Sequence, residues 1–184
     1  MARVMGGMVK GRRLACPSGL QFRPTTGRVK EFIFSYLNND IEGSTLLDLF
    51  SGTGSLGIEA LSRGAKEVSF VEKSIVSLKL LKKNISNCGY SDKVNIFKED
   101  VFFFLKRTGR KKCTFDLVIA DPPFKQNLRN KIVDHVDKNR ILSPKSLLIV
   151  EHESHDPDFG DHGLVMIRQR KFGHCYVSVY RTGD

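Results

Sequence analysis

Between Thr45 and Glu151 short apolar runs alternate with stretches whose apolar residues recur at helical spacing, and few folds accommodate that order. Thr45 to Phe50 predicts a strand, Leu56 to Ser62 a helix that Gly64 terminates, Glu67 to Glu72 a strand, and Ile75 to Asn87 a helix stopped by Gly89. A strand at Val94 to Lys98, a helix at Val101 to Arg107, a strand at Phe115 to Ala120, a helix near Asn127 to Lys138 and a strand at Ser146 to Glu151 continue the pattern. Strands separated by helices imply right-handed crossovers and a parallel sheet. Leu164 to Lys171 and Cys175 to Arg181 flank Gly173-His174 and read as an antiparallel hairpin at the sheet edge. Ahead of the first strand, Val29, Phe32, Ile33, Tyr36 and Leu37 form a helical stripe with Thr26 as its N-cap. The expected fold is an open Rossmann-like α/β sheet, mostly parallel, with an antiparallel C-terminal hairpin.

A chain of 184 residues, 40% hydrophobic and 27% charged, supports one domain with a real core. Residues 1–24 read as a basic N-terminal arm or hairpin, carrying Arg3, Lys10, Arg12, Arg13 and Arg23 and no acidic residue, ahead of a core at 25–184. Thirty Lys and Arg against twenty Asp and Glu leave +10, a field that attracts polyanions and favours nucleic acid as partner. The longest apolar runs, Val101 to Leu105 and Leu147 to Val150, fall far short of the roughly 18 residues of a membrane span. Met1 to Val9, broken by Arg3 and Gly6-Gly7, has no apolar leader segment, so the cytoplasm is expected. Cys16, Cys88, Cys113 and Cys175 lack any paired spacing and read as free packing thiols, with neither a disulfide frame nor a zinc site.

The first strand runs into Ser51-Gly52-Thr53-Gly54-Ser55-Leu56-Gly57, where glycines allow close backbone approach and the helix start offers unpaired N–H groups. Glu72, 20 residues past Gly52 at the end of the next strand, is placed to accept both hydroxyls of a ribose. A nucleoside cofactor follows, although a tight strand-to-helix turn also wants glycine for its own sake. Asp48, two residues before the loop, would face a pyrophosphate, so it argues against a dinucleotide and suits a cationic ligand; capping the loop backbone is its other reading. At the third strand end Asp100 could accept an adenine amine while the Val101 N–H meets a ring nitrogen, or Asp100 could equally cap the helix from Val101.

The fourth strand delivers Asp121-Pro122-Pro123-Phe124 to the same carboxyl edge. Two prolines remove two donors and stiffen the backbone, leaving carbonyls and a carboxylate as a row of acceptors, which suits an amine. Phe124 supplies a face on which an unstacked base can rest. Together these predict methyl transfer to a planar exocyclic amine, with Asp121 and the Pro122 carbonyl orienting the nitrogen lone pair, and no metal.

The chain resembles the RsmD family of bacterial 16S rRNA guanine-N2 methyltransferases. Gly6-Gly7, Gly11-Arg12-Arg13-Leu14, Arg23-Pro24-Thr25-Thr26, Arg28-Val29-Lys30-Glu31, Asp48-Leu49-Phe50-Ser51-Gly52-Thr53-Gly54 and Asp121-Pro122-Pro123-Phe124 carry the likeness, which runs from Arg3 to Tyr180. The resemblance implies a class I methyltransferase fold, S-adenosylmethionine as methyl donor, and a guanine N2 amine in 16S rRNA, presented by the 30S subunit or its precursor. It implies cofactor contacts from Asp48, Phe50, Gly52, Gly54, Glu72, Asp100, Val101 and Thr25, and a catalytic role for Asp121, Pro122, Pro123 and Phe124. The Arg23 to Thr26 segment would close over the cofactor. Lys10 and Lys30 replace arginines common in relatives, keeping the charge but changing how a phosphate could be gripped.

Arg3, Lys10, Arg12, Arg13, Arg23, Arg28, Arg107 and Arg110 are the expected rRNA contacts, the last two within a dense basic loop at 106–112; Lys79, Lys82 and Lys83 read as a solvated helix face. Glu151-His152-Glu153-Ser154-His155 reads as a polar loop, not a metal site. Rival readings are a dinucleotide oxidoreductase, a non-catalytic RNA-binding assembly module, and methylation of adenine N6, cytosine N4 or a glutamine amide. A monomer is expected.

Overall fold

The computed structural model describes residues 2–17, 26–123, 128–153 and 163–183. In chain order its elements are β1 (Ala2–Arg3), β2 (Arg13–Leu14), α1 (Gly27–Tyr36), β3 (Thr45–Leu49), α2 (Ser55–Ser62), β4 (Glu67–Val71), α3 (Ile75–Cys88), β5 (Val94–Phe97), α4 (Val101–Arg110), β6 (Phe115–Ala120), α5 (Arg129–Lys138), β7 (Leu142–His152), β8 (Leu164–Phe172) and β9 (Cys175–Thr182). Seven strands form one sheet in the order β5-β4-β3-β6-β7-β9-β8, parallel from β5 to β7 and antiparallel in the last two pairings. This is the expected fold. The order reverses between β3 and β6, and the carboxyl end of such a switch point is where open α/β sheets bind ligands.

Strand alternation sorts the core into two layers. Leu46, Val68, Phe70, Leu117 and Ile119 face one side, where they pack with residues of α1, α2, α3 and the N-terminal hairpin. Leu47, Leu49, Val71, Val118 and Ala120 face the other, under α4 and α5. Local signals set the helix ends: the Thr26 hydroxyl accepts from the Val29 N–H at 3.4 Å, the Ser74 hydroxyl from Ser77 at 3.3 Å, and α3 stops at Gly89 in the left-handed region.

Several boundaries differ from the sequence reading. Helix α4 continues past Arg107 to Arg110, where Gly109 lies so close to Asn139 that a Cβ there would sit 2.6 Å from its carbonyl oxygen. The basic loop expected at 106–112 is therefore a helix end and the turn after it. Strand β7 begins at Leu142, four residues early, with a pairing irregularity between Phe115 and Leu117 absorbing the extra length. Glu151 and His152 belong to that strand and are buried rather than in a loop, and the His152 Nε2 lies 2.8 Å from the Ser178 hydroxyl; Ser154 and His155 lie outside the described residues. Cys113 is exposed, so it packs nothing.

The arm is a docked hairpin. Ala2 and Arg3 pair with Leu14 and Arg13, and Val4 and Leu14 are buried in the first core layer. Its turn lies against the end of α2, where Met8 N–H donates to the Ser62 carbonyl at 2.7 Å; a Cβ at Gly7 would meet that carbonyl at 1.8 Å. No helix among the described residues is long and apolar enough to cross a membrane.

Candidate active site

The chain leaves β3 through a backbone that few side chains tolerate. Phe50, Gly52 and Gly54 all have positive φ, at 58°, 54° and 82°. Gly57, one turn into α2, sits against β4, where a Cβ would come within 2.3 Å of the Phe70 ring. Ser51, overlooked in the sequence, ties the loop to both strands: its hydroxyl donates to the carbonyls of Asp48 at 2.7 Å and Val71 at 3.2 Å.

Asp48 lies beneath this loop. Strand alternation turns its side chain under α2, where it is 1% exposed and its Oδ2 accepts the Gly57 N–H at 2.9 Å. The loop-holding reading of the sequence thus describes what the carboxylate does. Burial pushes its pKa up from 3.8 to about 8; the Gly57 hydrogen bond opposes the rise, and the charges of Asp121 and Glu72 add to it.

Glu72 stands just past β4, half-buried, with Oε2 accepting from the Gly52 N–H at 2.8 Å and Oε1 from the Ser74 N–H at 2.7 Å. Each carboxylate oxygen has a further lone pair, so two hydroxyls can still be accepted. Asp100 caps α4 through the Phe102 N–H at 2.9 Å and leaves its other oxygen 3.9 Å from Lys73 Nζ, while Val101 is buried in the second core layer. Phe50 meets Phe102 edge-on at 6.3 Å, and His135 and Lys131 flank Phe102 in turn, forming an aromatic wall beside the loop. This donor set fits S-adenosylmethionine: carboxylates gather around the loop where a pyrophosphate would be repelled and a sulfonium and ammonium attracted.

Asp121 follows β6 on the neighbouring strand. Ala120 pairs with Leu49, and the Asp121 N–H reaches the Leu49 carbonyl at 3.5 Å, so the proline strip and the glycine loop open on one rim of the sheet. Pro122 is buried and Pro123 exposed. Phe124, Thr25 and Arg23 lie outside the described residues. Two described residues on either side of 18–25, Ala15 and Lys30, are tied to the glycine loop. Asn84 bridges the Ala15 and Thr53 carbonyls at 3.0 Å each, and Lys30 reaches the Ser55 carbonyl at 3.2 Å.

Lys30 grips no phosphate. It is 3% exposed, with Nζ 2.9 Å from Glu59 and 3.0 Å from the Arg3 carbonyl. Glu59 is fully buried and also accepts from Met5, Gly6 and Arg63. Burial pulls the Lys30 pKa down, with Glu59 opposing; for Glu59 burial acts upward, but Lys30, the Met5 N–H and Arg63 outweigh it and hold the carboxyl low.

The expected rRNA contacts do not share one surface. Arg3 and Arg13 stand on the hairpin near the glycine loop, and Arg28 is exposed near the start of α1. Lys10 and Arg12 are exposed towards the turn, which docks at the end of α2. Arg110 stands at the C-terminal end of α4, about 15 Å from the rim where that helix starts. Arg107 is half-buried, paired with Glu99 and lying over the Phe97 and Phe104 rings, 5.5 Å and 5.3 Å from their centroids. It serves the fold.

The family described as Conserved hypothetical protein 95 matches residues 2–181. The chain is 34% identical over 182 residues to ribosomal RNA small subunit methyltransferase D of Haemophilus influenzae, covering 98% of this chain and 93% of that one. It is 32% identical over 151 residues to the protein of the same name from Escherichia coli, covering 82% and 74%. A solved structure described as a candidate methyltransferase, yhhF from Escherichia coli, superposes with a TM-score of 0.87 at 30% identity, over 98% of this chain and 97% of that one. The chain thus belongs to the Conserved hypothetical protein 95 family, the RsmD family that its motifs resemble.

Proposed function

We propose that this chain transfers a methyl group from S-adenosylmethionine to the exocyclic N2 amine of a guanine in 16S rRNA, presented by the 30S subunit or its precursor. The observation that carries the reading is the pairing of β3 with β6, which sets Asp121 beside the glycine loop on one rim. Membership of the family and the names of its relatives support rRNA as the substrate class.

When bound, S-adenosylmethionine supplies an electrophilic methyl carbon on a sulfonium. Gly52, Gly54 and Glu72 hold the nucleoside end, and the carboxylates around the loop attract the cationic end. Asp121 and the Pro122 carbonyl accept the two amine hydrogens of the guanine, which aims the nitrogen lone pair away from them and towards the loop. Asp121, or water beside it, would take the proton that the amine gives up on methylation. Positioning supplies most of the rate.

The test is labelled methyl transfer to undermethylated 30S particles, free 16S rRNA and duplex DNA, with the product nucleoside identified by mass. N2-methylguanosine in 16S rRNA is expected; label in DNA or on another base overturns the reading.

A further inference from the structure

A groove of about 840 Å³ separates α1 from the β8–β9 hairpin. Its walls carry Arg28 on the helix and Arg170 and Lys171 on the hairpin, against one acid, Glu31. Between them lie the half-buried rings of Phe32 and Phe172, with centroids 5.3 Å apart. The Arg170 guanidinium carbon is 5.2 Å from both centroids, so the cation is fixed by ring faces while its N–H donors stay available. Among the described residues no ion pair engages Arg28, Arg170 or Lys171. Arg168, exposed and two positions before Arg170, extends the same strand face.

The groove also sits in a useful place. Tyr176 pairs with both Lys171 and His152, which puts the tip of the hairpin beyond the carboxyl end of β7. Val150, two residues before His152, pairs with Ala120, the residue ahead of Asp121. The groove and the acceptor strip therefore share one rim. Thr26 lines the groove's other wall.

We propose that this groove holds the sugar–phosphate backbone of the rRNA strand flanking the target guanine, with Arg170 as the central phosphate contact. The inference rests on the rRNA methyltransferase reading and adds to it the surface that presents the substrate. A guanine can reach Asp121 only if its strand is locally unstacked, and an unstacked strand exposes phosphates at the spacing that rigid cations and aromatic faces bind. The rings hold the Arg170 guanidinium fork in place, a geometry suited to the paired oxygens of a phosphodiester.

The test compares wild type with Arg170→Glu/Lys171→Glu, and with a control reversing the same charge on α3, Lys82→Glu/Lys83→Glu, over the opposite half of the sheet. Steady-state methylation of undermethylated 30S particles and filter binding to a 16S rRNA transcript are measured across a salt series. In the groove variant KM for the particle should rise tenfold or more with kcat within about twofold. The salt slope of binding should fall by between one and two, and the thermal shift with S-adenosylmethionine should stay unchanged. If the double reversal lowers the cofactor-free Tm, Arg170→Gln/Lys171→Gln is read in its place and should raise KM at least threefold. Unchanged KM and salt slope overturn the proposal, as does an equal defect in the α3 control. Weakened binding to the particle with unchanged binding to the naked transcript assigns the groove to a ribosomal protein and overturns it too. If wild type methylates no rRNA the functional reading fails on its own; the filter assay then decides the groove, a binding defect supporting it and an undiminished affinity removing it.

Discussion

Asp48→Asn keeps an oxygen for the Gly57 N–H and removes the charge that burial resists. The folded chain holds the Asp48 proton more tightly than the unfolded chain, so the stability this group contributes is present in full below about pH 4 and is lost as the pH rises through about 8. At roughly 1.4 kcal/mol per pKa unit, wild type at pH 7 stands on the order of 4 kcal/mol below a neutral isostere, and about 6 kcal/mol below it well above pH 8. Asp48→Asn should therefore raise the Tm of the cofactor-free protein by on the order of 10 °C at pH 7, with the difference vanishing towards pH 4. In the proposed reaction a cation bound beside the loop would act on the same charge. The sulfonium, charged at every pH, favours the ionised carboxylate, so the ratio of wild-type to variant affinity for S-adenosylmethionine should rise about tenfold between pH 7 and pH 9, the ligand's own amine titrating alike in both. Circular dichroism melts at pH 5, 7 and 8, with calorimetric titration of the cofactor at pH 7 and 9, provide the assay. A variant no more stable than wild type at pH 8, or a wild-type to variant affinity ratio indifferent to pH, would refute the reasoning.

Lys30→Met strands the Glu59 carboxylate in the core with only its backbone donors and Arg63; a loss of about 3–5 kcal/mol in urea unfolding is expected, and less than about 1 kcal/mol would show that the pair is not needed to tie α1 to α2. Asp121→Ala should reduce kcat for methyl transfer by two orders of magnitude or more, while the thermal shift with S-adenosylmethionine persists; retained turnover would remove Asp121 from the chemistry.

Much of this molecule is written locally. The change between a period of two and a period of 3.6, the hydroxyl of Thr26 and the glycine at position 89 each act over a few residues, so strand and helix order could be read before any contact was known. The glycine loop, Glu72 and the Asp121 strip were legible for the same reason, since each follows a strand, and carboxyl ends of parallel strands share a rim. Other residues have roles decided by distant partners. Lys30 looks like a phosphate ligand until α1 packs over α2 and buries it against Glu59, 29 positions along the chain. The groove at Arg170 could not be seen in the chain at all, because Phe32 and Phe172 are 140 residues apart and meet only when the hairpin folds back beside β7. Periodicity tells a residue which face it takes; only the order of strands across the sheet tells it what it will find there.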